Sequence, residues 1–209
     1  MSSNLSGYGL AIHTASPDLG FAIDNFVGDR RQRVWTLGRD ASNHLHEYLG
    51  NFLPPQTWSD LRFIAVAKGP GGFTGTRLGV VTARTLAQQL EIPLFAVSTL
   101  AAIAWQSRSP NATIAVQMRA QRSELFGAIY TATAAGLATV LPDTVFSSAA
   151  WQKLLEEHHP RIDRIVEATD NLGDSVSSVL ELAYLNWQSG DRPHWSETLP
   201  FYGQHPVQT

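Results

Sequence analysis

A mixed α/β fold is the class this sequence predicts, and three observations carry it. Short apolar runs open the chain as a meander of strands. From there strands alternate with helical patterns. The composition, 44% hydrophobic and 16% charged over 209 residues, is enough for a real core in one domain or two small lobes. No internal repeat at a fixed period is visible.

Residues 8–12 read as a strand, 14–19 as a turn holding Pro17 and Asp18, and 20–27 as a second strand. Gly28-Asp29 turns the chain into a third strand over 33–37, completing an antiparallel meander. The cluster Arg30, Arg31, Arg33 is read as a solvated hairpin edge. A helix follows, with Leu45, Leu49 and Phe52/Leu53 on one face, Ser42 as its cap and Pro54-Pro55 as its stop. Residues 63–67 form the next strand, 94–97 another, and Ser98 or Thr99 caps a helix running to Trp105. Ser-Arg-Ser-Pro-Asn, 107–111, marks a boundary, so the predicted lobes are 1–108 and 109–209. In the second, 113–117, 125–131 and 162–167 read as strands and 148–157 and 175–187 as helices. The tail from about residue 199, with Phe201-Tyr202 between prolines, is expected to pack back on the first lobe.

Between the strand at 63–67 and the following helix lies Lys68-Gly69-Pro70-Gly71-Gly72-Phe73-Thr74-Gly75-Thr76-Arg77-Leu78-Gly79. Four glycines and one proline in seven residues permit a tight reversal and close approach to another backbone. A turn that opens a helix also presents unpaired N–H groups suited to an anion. The residues leave two readings open, a packing corner or an anion cradle whose candidate contacts are Gly71, Gly72, Thr74 and Gly75. The glycine offsets match neither the Walker nor the dinucleotide pattern. In the helix that follows, Gly79, Val80, Ala83, Leu86, Ala87 and Leu90 make one apolar stripe. Its small members, Gly79 and Ala83, suit close approach of another helix or ordinary core packing.

Several chemistries lack support. The chain has no cysteine, which excludes disulfides, thiolate zinc sites and a cysteine nucleophile. No Gly-x-Ser-x-Gly elbow is present. His44 and His46 lie two apart on a helix and diverge, and His158-His159 sits at a helix end before Pro160, so neither pair has metal-binding spacing. His13 ends the first strand, where a kinase-like fold would place a magnesium-organising acid. A formal charge of -3 argues against nucleic-acid binding by the chain alone. The expected site is the cytoplasm, since neither a bilayer-length apolar run nor a signal-peptide pattern is seen.

Four pieces taken together, Leu10-Ala11-Ile12-His13-Thr14-Ala15, the run from Ala67 to Gly79, Val97-Ser98-Thr99-Leu100 and Ser123-Glu124-Leu125-Phe126, resemble the TsaB (YeaZ) family. Gly72 replaces the serine of its Gly-Pro-Gly-Ser-Phe-Thr-Gly-x-Arg-x-Gly signature, and Pro200-Phe201-Tyr202 adds to the likeness. The resemblance implies an actin-like (ASKHA, ribonuclease H-like) two-lobed fold. It also implies a non-catalytic partner subunit, acting through a TsaD-type catalytic subunit and a TsaE-type ATPase that place threonylcarbamoyl on adenosine 37 of tRNAs reading A-starting codons. It further implies no cofactor on this chain, ATP and Mg2+ belonging to the partner subunits, only indirect contact with tRNA, no membrane, and a homodimer when the chain is alone. The pairing surface would be a helix bundle using Leu45, Leu49, Phe52, Gly79, Val80, Ala83, Leu86, Ala87 and Leu90.

Departures from the family bear on chemistry. Relatives commonly carry Asp where this chain has His13, and Asp-Ala-Arg-x-x-Glu where it has Arg119-Ala120-Gln121-Arg122-Ser123-Glu124. Losing carboxylates weakens any magnesium site, so ATP hydrolysis by this chain alone is not expected. An ASKHA phosphotransferase using Gly69 to Gly75, and a glycoprotease-like metallopeptidase, are the alternatives. Against the second stands the lack of a His-x-x-x-His pair.

Overall fold

The computed structural model describes residues 7–158 and 161–203. His159 of the histidine pair and the tail beyond Gly203 lie outside the described residues. A first sheet is built from β1 (Tyr8–His13), β2 (Asp18–Asp24), β3 (Arg30–Thr36), β4 (Leu61–Ala67) and β5 (Leu94–Val97). Its order is β3-β2-β1-β4-β5, with β1, β2 and β3 antiparallel and β4 and β5 added parallel to β1. The second sheet, from β6 (Thr113–Arg119), β7 (Glu124–Thr133), β8 (Gly136–Ser147) and β9 (Arg164–Glu167), has the order β8-β7-β6-β9. Again the first three strands are antiparallel and the last joins parallel to the first. One plan is thus laid down twice.

Burial on both faces explains why β1 and β4 read as near-continuous apolar runs. Leu10, Ile12, Ile64 and Val66 face α1 (Ala41–Phe52) and α2 (Phe73–Leu90), while Ala11, Phe63, Ala65 and Ala67 face the opposite layer. That layer consists of α3 (Thr99–Gln106) and α5 (Val176–Gln188), the latter a late helix that returns to cover the first sheet. Leu100, Ile103 and Ala104 of α3 also pack with Ile114, Val116 and Tyr130, so α3 belongs to both cores. Across the second sheet, α4 (Ser148–His158) seats Trp151 beside Ala115 and Ile129, and its Nε1 donates to Gln117 Oε1 at 2.6 Å. A Cβ on Gly127 would strike the Trp151 ring. No helix among the described residues is long and apolar enough to cross a membrane.

Several expectations are corrected. The stripe assigned to a partner surface is the chain's own core. Leu45, Leu49, Phe52, Val80, Ala83 and Ala87 are buried, Gly79 is buried against Thr14, and Leu86 and Leu90 are partly buried against the same cluster. Helical periodicity reveals an apolar face but not what covers it, and here the first sheet does. Ser42 does not cap α1. A 3-10 turn over Gly38–Asp40 precedes that helix, and Ser42 Oγ instead donates to the Arg39 carbonyl at 3.4 Å. Nor is the arginine cluster freely solvated: Arg31 donates to the Phe52 carbonyl, satisfying the end of α1, and Arg30 pairs with Glu181 at 3.0 Å. α2 begins at Phe73 rather than after Thr76, because extended Gly72 already serves as its N-cap. β8 is absent from the sequence reading, since Pro142-Asp143-Thr144 interrupts its apolar residues on an edge strand whose register shifts against β7.

Ala83→Arg is accordingly expected to unfold the chain instead of leaving a folded monomer. An unpaired charge in this 0% exposed position costs about 3 to 5 kcal/mol. Urea titration followed by circular dichroism checks it, and an unchanged midpoint would place Ala83 on the surface.

Candidate functional site

Between the lobes lies a cleft of about 1060 Å³. Its first-lobe wall is formed by the turn after β1, Thr14 to Pro17, by Gly38, Arg39 and Ser42 at the entry to α1, and by Gly71 to Gly75 at the start of α2. Met118 and Arg119 at the end of β6, with Glu167 ending β9 and Ala168 to Asp170 after it, form the second-lobe wall. Strand ends of both sheets therefore open into one space, as expected for ligand crevices in α/β folds.

All four glycine-turn candidates, Gly71, Gly72, Thr74 and Gly75, line this cleft. Their glycines are nonetheless explained first by packing. A Cβ on Gly71 would fall on the Ala15 carbonyl oxygen, one on Gly75 on the Thr14 carbonyl oxygen, and one on Gly79 on Thr14 Oγ1. Hydrogen bonds lock the contact: Gly72 N–H donates to the Ala15 carbonyl at 2.8 Å, and Thr14 Oγ1 donates to the Gly75 carbonyl at 2.7 Å. On the far side, Gly69 at φ +99° gives room to the Phe201 carbonyl, and Phe201 N–H donates to the Lys68 carbonyl at 2.7 Å. The rings of Tyr202 and Phe73 lie 4.5 Å apart. Gly72 is different, because a Cβ there meets only the Ala15 carbonyl oxygen at 3.8 Å, an ordinary contact.

His13 does not close a hairpin through hydrogen bonds. It is fully buried and neither ring nitrogen has a partner. Burial pushes the imidazole pKa down to about 4, with the Asp18 carboxylate acting more weakly the other way. The side chain is thus neutral near pH 7. Asp18 itself is tied, accepting from Thr36 Oγ1 at 2.8 Å and from Gly173 N–H at 3.2 Å. His44 stacks against Tyr48 and lies 3.4 Å from Glu47, and His46 is exposed. Among the described residues no group of three or more His, Cys, Asp or Glu side chains could hold a metal ion.

A junction between the lobes escaped the sequence reading. Tyr130 on β7 donates to Asp143 Oδ1 on β8 at 2.6 Å and reaches Ser98 Oγ at 3.5 Å, while Ser98 caps α3 by accepting from Ala101 N–H at 3.2 Å. Burial raises the Asp143 carboxyl above its usual range despite Lys68 nearby. With β8 unread, only the Ser98 cap was visible as a signal. The cleft residues Arg39, Glu167 and Asp170 had none.

Residues 56–193 match the family model described as TsaD: tRNA N6-adenosine threonylcarbamoyltransferase. The chain is 40% identical over 153 residues to a Bacillus subtilis protein named tRNA threonylcarbamoyladenosine biosynthesis protein TsaB, covering 71% of this chain and 66% of that one. The match therefore spans just under two thirds of that relative's length. Among solved structures, YeaZ from Pseudomonas aeruginosa superposes with a TM-score of 0.72 at 20% identity, covering 94% of this chain and 99% of the other. A second, described as an uncharacterized protein with similarity to peptidase YEAZ from Pseudomonas aeruginosa, gives 0.75 at 21%, covering 95% and 100%. The fold observed is that of these YeaZ structures, with two sheets of like plan.

The buried imidazole has a measurable consequence. Its folded pKa lies below the unfolded value, so its contribution is complete above about pH 6.5 and is lost as the pH falls toward 4. The loss amounts to about 3 kcal/mol. Chemical unfolding at pH 7 and pH 4 is expected to show this loss in the native chain relative to His13→Leu; equal pH dependence in both would refute it.

Proposed function

The chain belongs to the TsaB (YeaZ) family, within the wider group that the TsaD model describes, and we propose that it is the non-catalytic partner subunit of a threonylcarbamoyl-transferring complex. In this reading a TsaD-type subunit carries the catalysis, a TsaE-type ATPase assists, and adenosine 37 of tRNAs reading A-starting codons is the acceptor. The 40% identity to the Bacillus TsaB carries the proposal. His13 supports it, because a neutral, enclosed imidazole at the end of β1 offers no anionic ligand to a metal. ATP and Mg2+ would act on the partner subunits, tRNA would be contacted indirectly, and the assembly would work in the cytoplasm.

The docking surface is proposed on α1 and α2, through the faces turned away from the sheet. α1 exposes Asn43, His46, Glu47 and Gly50 there, and α2 exposes Arg77, Val81, Thr85 and Gln88. Val81 is 51% exposed and Phe73 43%, which gives this polar face an apolar centre. The same face would pair two copies when the chain is alone.

Threonylcarbamoyl transfer to unmodified tRNA should require this chain when TsaD, TsaE and the threonylcarbamoyl-adenylate supplier of the same organism are present. Activity indifferent to its addition, from a TsaD shown to be competent, would remove the proposal. Val81→Arg should weaken pairing with TsaD by at least about tenfold, as for loss of an interface centre, while leaving the melting temperature within a few degrees. Unchanged pairing, measured by titration, would move the interface elsewhere.

A further inference from the structure

Arg39 and Arg119 enter the same cleft from opposite lobes, and both are exposed. Among the described residues neither guanidinium has an ion pair or a side-chain hydrogen bond. By contrast, the hydroxyls of Thr14 and Ser42 already donate within the chain. Thr14 donates to Gly75, Ser42 donates to Arg39's carbonyl, and Ser16 Oγ accepts from Asp18 and Leu172. Arg39 and Arg119 are therefore charged donors left unengaged in the cleft, beside the neutral Thr74 hydroxyl, and an oxyanion held between the two arginines would satisfy both. We infer that the interlobe cleft binds a small molecule bearing a phosphate or carboxylate group, clamped by Arg39 of the first lobe and Arg119 of the second.

Two further features define the ligand. The first-lobe wall carries no acid, since α2 has none in its first turn, whereas Glu167 and Asp170 line the second-lobe wall beyond ion-pair distance of either arginine. An oxyanion thus belongs against the first-lobe wall, with Arg119 reaching across. Hydroxyl or amino donors on the rest of the ligand would face Glu167 and Asp170. Volume sets the size: about 1060 Å³ is at the upper end of small-molecule sites, far more than a bare anion fills. Leu78 and Met118 supply apolar surface for the body of the molecule. Neither the clamp nor its ligand depends on the partner-subunit reading.

Isothermal titration of the purified full chain with ribose 5-phosphate, citrate and inorganic phosphate, at ionic strength matched with sodium chloride, tests the inference. Saturable one-to-one binding of ribose 5-phosphate or citrate, tighter than inorganic phosphate, is expected, and which probe binds tells phosphate from carboxylate. Arg39→Gln and Arg119→Gln should each weaken it at least about tenfold, as for loss of a charged hydrogen-bond donor. Arg33→Gln, on exposed β3, should leave it unchanged. Each variant's melting temperature, unchanged for these exposed positions, separates lost binding from lost folding. No saturable heat with any probe, or binding that survives both cleft substitutions in folded protein, would overturn the clamp.

Discussion

The rest of the structure depends on one close contact, that of the turn after β1 against the start of α2. Gly71, Gly75 and Gly79 follow one another at four-residue spacing, and each leaves the space of a Cβ to an atom of Thr14 or Ala15. With three side chains missing in a row, backbone lies directly on backbone, and two hydrogen bonds fix the register. This contact decides where the first turn of α2 meets the cleft. Bulk at any of the three positions would push α2 off the turn and move the cleft wall with it. A glycine-rich turn open to either a packing or an anion-cradle reading is thus required by the protein's own packing, whatever else it touches.

That corner and the junction between the lobes are neighbours along the chain. Lys68 lies near Asp143, and Gly69 accepts from Thr99 N–H at 2.9 Å. Ser98, one residue before, caps α3 and meets Tyr130 of the second lobe. The relative setting of the lobes is therefore fixed where β4 and β5 end, at Lys68-Gly69 and Ser98-Thr99. α3 carries that setting into both cores, because its buried residues pack on each. The returning tail adds a third tie at the same place, through Phe201 and Lys68. Opposite walls of the cleft are thus held by a short, densely bonded stretch rather than by a long hinge.

Much of this was legible in the sequence, and the failures have physical causes. β1 and β4 could be read because strands buried on both faces are continuously apolar, and the periodicity of α2 because one side of it packs on a sheet. The division into lobes came from the Ser-Arg-Ser-Pro-Asn break at 107–111, and the actin-like architecture from the resemblance, not from periodicity. β8 could not be read, because an edge strand around Pro142 with a shifting register has neither alternation nor an apolar run. The residues assigned to a partner surface proved to be core for a different reason. An apolar stripe such as Leu45, Leu49, Val80 and Ala83 marks a buried face equally well whether a sheet or a partner buries it, and only coordinates distinguish the two. Outward residues such as Val81 leave no periodic trace.

Charge in the cleft follows the same separation between what pattern reveals and what placement reveals. His13 stands out in sequence as a histidine ending an apolar strand, yet its fate is set by complete burial, which keeps it neutral and out of the cleft. Arg119 is the reverse case. It is unremarkable by composition, but it stands on the cleft wall opposite Arg39. Burial silences the one and exposure leaves the other charged, so the interlobe space presents Arg39 and Arg119 to a ligand. Glu167 and Asp170 temper that charge on the second-lobe wall only. The polarity of the cleft therefore runs from one lobe to the other, and a ligand there would be oriented by it.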